Sequence, residues 1–242
     1  VPLLSILSGI LLVRSAQGLL PASAILLRKA QSLLVPMVIW SALLLLMTLV
    51  YGAVSGDREV FDGTALDWIN RVFALTAPPE NLPLAFLRDV FVCCALGLAA
   101  IRIDSRIARL GSAALVVLAM AEMTTGGILL LRPQILLFFA AGVLIASNPP
   151  RSLVVPWVAI AAIYALDLLL RFGPAGEFLN QNARPLTETL HRAAMAGLMW
   201  RIAIAIVRNR PDVSALIRRL ESRIFLVFCS HKIVIALLAV VF

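Results

Sequence analysis

The stretch "LPLAFLRDVFVCCALGL", residues 82–98, sets an arginine and an aspartate, Arg88 and Asp89, just inside one end of an apolar run. An arginine offers a planar fork to carboxylate or phosphate, and a carboxylate accepts several hydrogen bonds. At the centre of a bilayer one charge costs roughly 2.5–3.5 kcal/mol, so each must face protein or water. Neighbours in sequence point about 100° apart on a helix, so these two need not pair with each other. Glu122 and Arg201 at mid-run, Asp167 and His191 near run ends, and His231 with Lys232 extend the polar set. Histidine is the side chain best suited to take a proton from a hydroxyl near neutral pH. The bland alternative is interhelical ion pairing, for example Glu122 or Asp167 with Arg201. A whole set of such groups points further, to a polar interior, because small-residue packing holds a bundle more cheaply.

The elements that must position these groups follow from composition. Of 242 residues 62% are hydrophobic and 14% charged, with a mean hydropathy of +1.00. That leaves too little polar surface for a water-soluble globule, so the chain reads as an all-α, polytopic transmembrane helix bundle. A span takes about 20 apolar residues. On that template spans fall near 33–53, 84–101, 113–131, 133–148, 152–170, 189–207 and 224–242, with 1–13 most of another, about eight in all. Cys93, Cys94 and Cys229 lie in apolar runs without paired spacing or nearby histidines, so they read as packing residues, with no disulfide framework and no metal site.

The net charge of +8 is a topology signal. Connection 14–32 carries Arg14, Arg28 and Lys29; 102–112 carries Arg102, Arg106 and Arg109; the turn near 149 carries Arg151; 208–223 carries Arg208, Arg210, Arg218, Arg219 and Arg223. These alternate with the acidic connection 54–83, the short turn at Arg132 and the balanced connection 171–188. The basic set is cytoplasmic by the positive-inside rule, and its arginines meet anionic membrane lipids rather than nucleic acid. Within the long outer connection, "TALDWINRVFALTA" sets Thr64 three residues before Asp67 and lines Leu66, Ile69, Val72 and Phe73 on one face. This predicts a capped helix lying at the outer interface, either a cover for the bundle or a wall over an outward-facing cavity.

Five stretches, in order, resemble the acyltransferase 3 family of integral membrane acyltransferases. "VPLLSILSGILL" is similar to its span ending in Ser-Gly, with Leu4 and Ser5 where aromatics are usual. "LLRKAQSLLVPMVIW" resembles the basic segment leading into a proline-started span at Pro36, with Gln31 and Ser32 where a second arginine is usual. "LPLAFLRDVFV" resembles a Pro-Leu-Trp-Phe-Leu-Arg-Asp-Leu signature with Ala85 for the tryptophan. "LLFFAAGVLIA" is similar to a Phe-Phe-x-x-Gly span, and "SRIFLVFCSHKIVI" to a closing span in which His231 matches a histidine.

The resemblance implies one acyltransferase domain over 1–242, within a family fold of about ten helices in the bacterial cytoplasmic (inner) membrane. It implies transfer of an acyl group, acetyl from acetyl-CoA in the commonest form, to a hydroxyl of an extracytoplasmic glycan or lipid-linked glycan. Arg28 and Lys29 would meet the phosphates of the acyl-CoA donor. His231 is the one family-matched histidine. Arg88, Asp89, Glu122 and Arg201 would line the acceptor cavity. The family's foremost candidate base lies in a span preceding the Ser-Gly span, so the chain, starting at Val1 and ending at Phe242 inside apolar runs, reads as a domain truncated at both ends. The alternative class is a multi-pass exporter or flippase for lipid-linked or glycan substrates, which shares the polar interior and basic inner connections but calls for repeats that are not seen here.

The charge alternation predicts sidedness. A cysteine placed at Gly63 is expected to react with a membrane-impermeant thiol reagent in intact cells, and one at Ser214 only after permeabilisation; the reverse pattern would refute the orientation.

Overall fold

The computed structural model describes residues 2–18, 20–56, 62–101, 105–125, 129–147, 157–172, 184–217, 219, 220, 227, 229 and 230. Apart from Cys229, Ser230 and Val227, the last expected span lies outside the described residues, His231 and Lys232 included, as does most of the 171–188 connection. So do the side chains of Arg102, Arg106, Arg109, Arg151, Arg218 and Arg223.

The described residues are helical apart from turns and connections. The helices are α1 (Pro2–Ala16), α2 (Ala22–Ser55), α3 (Ala65–Phe73), α4 (Ala85–Ile101), α5 (Ser105–Thr125), α6 (Gln134–Ser147), α7 (Trp157–Phe172) and α8 (Arg184–Asn209). A 3-10 turn, Leu82–Leu84, with its proline in the first positions, leads into α4. Three stretches, Ala22–Ser55, Leu82–Ala100 and Glu188–Asn209, are long and apolar enough to cross a membrane. By contrast α1, α6 and α7 have 15, 14 and 16 residues, roughly 21–24 Å against a hydrocarbon core of about 30 Å. The helices follow the expected apolar runs, but a count of about eight spans is not established by them.

α2 departs from the expected span starting near Pro36. It is one helix of 34 residues from Ala22, and Pro36 sits inside it, so Arg28 and Lys29 ride on its first turns rather than on a loop. Its two faces differ in surroundings. Met37, Ser41, Leu44, Leu45 and Gly52 are buried, whereas Val35, Ile39, Leu43, Leu46 and Val50 form an exposed stripe at three- and four-residue spacing. An apolar stripe left outside the bundle is what a lipid-facing helix presents, and the chain is a membrane protein on this ground as well as on composition. Gly56, in the left-handed region at φ 76°, ends the helix.

α3 has the capping box expected from Thr64 and Asp67: the Asp67 backbone N–H donates to the Thr64 hydroxyl at 3.3 Å, and the Thr64 backbone N–H and hydroxyl donate to the Asp67 carboxylate at 2.8 and 2.7 Å. Those bonds, the Thr64 hydroxyl first, hold the Asp67 carboxyl below its ordinary range. Leu66, Ile69 and Phe73 of its apolar face are exposed, consistent with an interfacial helix, while Asn70 is buried and its side-chain carbonyl accepts from the Thr76 backbone N–H at 2.9 Å. Glu80 accepts from the Thr48 hydroxyl of α2 at 3.3 Å and ties this connection to the bundle.

The tightest packing is between α1 and α6, where Gly9 and Gly142 meet. A Cβ on Gly9 would lie 2.3 Å from the Phe139 carbonyl oxygen, and one on Gly142 would lie 2.1 Å from the Ile6 carbonyl oxygen. Both obstacles are backbone, so neither can swing aside. The glycines of two separate sequence stretches therefore form one interface, the close approach that small residues permit in membranes. Leu12, Phe139 and Val143 surround it, and Cys93, Cys94 and Cys229 are buried in the same core.

Gly9→Leu or Gly142→Leu is therefore expected to destabilise the folded protein by at least the roughly 1–3 kcal/mol of core overpacking. The monodisperse peak in detergent chromatography should be lost. Gly18→Ala, where the nearest atom stands at 3.4 Å, should leave it intact; a wild-type profile for both leucine variants would refute the packing.

Candidate functional site

Arg14 closes α1, Arg28 and Lys29 open α2, and Arg208 closes α8, so these helix ends make a basic end of the bundle. At the opposite end converge the starts of α4, α6 and α8, the end of α5 and the 62–83 connection. The polar residues that sequence places near run ends gather there.

Arg88 and Asp89 do pair. The Arg88 Nη1 donates to Asp89 Oδ1 at 2.8 Å, because the long arginine side chain turns back across the first turn of α4. The rest of the guanidinium reaches the Leu75 carbonyl at 3.0 Å. Asp89 is fully buried, and its two oxygens accept from the backbone N–H groups of Leu131 (3.2 Å) and Arg132 (3.0 Å) in the turn between α5 and α6. Asp89 thus stands behind the turn that lines the cavities and braces it through the backbone.

Glu122 is three residues from the end of α5 rather than at mid-span. Its Oε2 accepts from the backbone N–H groups of Leu129 (2.8 Å) and Leu130 (3.0 Å). Two carboxylates therefore hold four consecutive residues, 129–132, through main-chain N–H groups. A turn this short between two apolar helices leaves its N–H groups without helical partners, and the carboxylates supply them.

The braced turn presents Arg132 and Gln134 to open space. Two adjoining cavities of about 340 Å³ each share Arg132, Gln134 and Arg192; Glu122 and Met123 complete one, Pro2 and Phe138 the other. Arg192 of α8 bridges Gln134 and Glu188, the latter at 3.1 Å. Phe138 also lines a separate apolar cavity of about 270 Å³ between α1, α6 and α8, with Ala141, Ala193, Ala196 and Gly197 in its wall. A polar mouth beside an apolar cavity can hold a ligand that carries both hydroxyl and apolar groups.

The remaining sequence-level candidates lie elsewhere. The Asp167 carboxylate accepts from His191 Nδ1 at 3.1 Å, with the Tyr164 ring 5.4 Å from the imidazole, so α7 and α8 are joined by a His–Asp pair. Arg201 lays its guanidinium over the Trp157 ring at 4.7 Å. The alternative of an ion pair between Arg201 and Glu122 or Asp167 is not seen among the described residues, since Arg201 and Trp157 sit nearer the basic end while both carboxylates sit at the other. Arg28 is exposed on α2, and Lys29 is half-buried. His231 lies outside the described residues. Among the described residues no group of three His, Cys, Asp or Glu is placed to hold a metal ion. Sequence reasoning passed over Arg132, Gln134 and Arg192 as site residues; the signal available was an arginine and a glutamine flanking Pro133 in a turn between two apolar runs.

The Asp89 carboxylate should not tolerate amidation. Both of its oxygens are used, so Asp89→Asn sets an amide N–H against a backbone N–H and takes the negative charge away from Arg88, at a cost of about 3 kcal/mol or more. Thermal melts in detergent should show Asp89→Asn clearly below wild type; a melt equal to wild type would refute the bracing.

Comparison with known proteins bears on this arrangement. A family model described as an acyltransferase domain, Acyl_transf_3, matches residues 1–242. Among curated proteins the chain is similar to the succinoglycan biosynthesis protein ExoH of Rhizobium meliloti (strain 1021), 28% identical over 249 residues, which cover 96% of this chain and 64% of that protein. The chain thus spans less than two thirds of that relative's length. No solved structure matches. With the whole of its length matched by the one family model, this chain belongs to the acyltransferase 3 family.

Proposed function

We propose that the protein of which this chain is a part is a multi-pass O-acyltransferase of the bacterial cytoplasmic membrane, moving an acyl group from acyl-CoA to a hydroxyl of an extracytoplasmic glycan. The observation that carries the reading is the family match over residues 1–242. Similarity to a protein named for succinoglycan biosynthesis favours a polysaccharide or its lipid-linked precursor as acceptor. The family membership also favours acyl transfer over export by an exporter or flippase.

The architecture fits a two-sided reaction. Arg28 and Lys29 on the first turns of α2 offer a fork and a point charge to the donor's phosphates at the basic, cytoplasmic end. The cavity at Arg132, Gln134 and Arg192 receives the acceptor at the outer end. Transfer requires a base within reach of the acceptor hydroxyl, whose oxygen then bonds to the acyl carbon as the thioester C–S bond breaks. His231, matched to the histidine of the family's closing span, is this chain's candidate for that role; the family's foremost candidate base belongs to a span preceding the Ser-Gly span. Acetyl is the group expected of the donor, with succinyl as the variant.

Charge-assisted contacts to phosphate contribute about 1.5–3 kcal/mol each, and a factor of ten corresponds to about 1.4 kcal/mol. In the full-length protein, Arg28→Gln combined with Lys29→Gln should raise the KM for acyl-CoA more than tenfold while insertion and abundance stay at wild-type level. Wild-type transfer across donor concentrations would reduce both residues to topology charges and refute the donor site.

A further inference from the structure

The charges at the mouth of the cavity balance in number, three arginines against three carboxylates, but not in pairing. Arg88 is committed to Asp89 and to the Leu75 carbonyl. Arg192 is committed to Glu188 and Gln134. Asp89 is closed in by Arg88 and two backbone N–H groups, and Glu122, almost fully buried, turns its Oε2 to two more. Arg132 remains. Among the described residues its guanidinium meets one partner, the Leu82 carbonyl oxygen, at 3.4 Å, and no carboxylate. It lines both polar cavities, and its backbone is fixed by Asp89, so its position is set while its charge is unspent.

A second contribution has the same sign. α6 begins at Gln134, two residues beyond Arg132, and its N-terminus directs partial positive charge toward the same space. The planar fork of an arginine matches a carboxylate bidentately, and a half-enclosed site strengthens the contact relative to water.

We propose that Arg132 makes this cavity selective for an acidic acceptor, a glycan carrying a carboxylate such as a uronate next to the hydroxyl that is acylated. The inference rests on the acyltransferase reading and deepens it: the braced turn is the specificity element, with Asp89 and Glu122 positioning Arg132 through the backbone. The competing use of an unspent arginine at this level is a contact with an anionic lipid headgroup, and the two are separable.

The test uses the full-length protein in phosphatidylcholine nanodiscs. The probes are a gluco-oligosaccharide ending in glucuronic acid and the same oligosaccharide with its carboxyl group reduced to the alcohol. The ratio of the two Kd values is the readout. Wild type should favour the acid form roughly tenfold or more, the range expected of a charge-assisted contact. Arg132→Gln should bring the ratio to about one, and Arg132→Lys should retain part of it. Equal affinity of the wild type for both forms, binding of neither, or a preference that survives Arg132→Gln overturns the assignment. So does a wild-type preference abolished by adding phosphatidylglycerol, which gives Arg132 to lipid headgroups. Acyl transfer to glycan, assayed in cells, is scored separately: its presence without an acid preference sinks this inference alone, and its absence sinks the enzymatic reading.

Discussion

A carboxylate buried in a membrane bundle has to be satisfied by the protein, and Asp89 is the group on which that requirement falls most heavily. With no exposure, it accepts from a guanidinium and from two backbone N–H groups. Removing any of these partners leaves charge or a donor orphaned in a medium that cannot replace it. The pair therefore fixes three things together: the first turn of α4, the long connection through the Leu75 carbonyl, and the turn that starts α6. A charge that would be costly alone becomes the junction of that end of the bundle.

The second constraint is steric. Gly9 and Gly142 bring α1 and α6 to backbone contact, which leaves no room for a side chain at either position. Since α6 also follows the braced turn, its height in the bundle is set by carboxylates at one end and by glycines along its length. The cavity between α1, α6 and α8 lies beside this close approach, where α8 contributes the small residues Ala193, Ala196 and Gly197 together with Trp200. Space in this bundle comes from small side chains, and polarity from the turn above them.

These two constraints divide the labour expected of a membrane acyltransferase. The basic ends of α1, α2 and α8 and the polar mouth at Arg132, Gln134 and Arg192 lie at opposite ends of the bundle, and the proposed donor and acceptor sites rest on that separation. The His–Asp pair of α7 and α8 and the Arg201–Trp157 contact join α7 to α8 away from that mouth, and are read most simply as what holds these two helices together.

Apolar runs, their lengths and the placement of basic residues were enough to predict an all-helical membrane chain, because a bilayer imposes those features locally, residue by residue. The capping box of α3 was legible for the same reason: its partners lie three residues apart. Five short stretches were enough to identify the family. The partners of the charges were not legible. Asp89 and residues 131–132 are separated by more than forty positions, and Gly9 and Gly142 by more than a hundred; nothing in either local pattern names the other. Carboxylate–arginine pairing at Arg201 was one alternative the sequence left open; helix ends decide which charges meet, and only the packed bundle brings an α4 carboxylate beneath the α5–α6 turn. Arg132 appeared in the sequence as a connector. It becomes a candidate specificity residue only when the tertiary structure has used up the counter-charges around it.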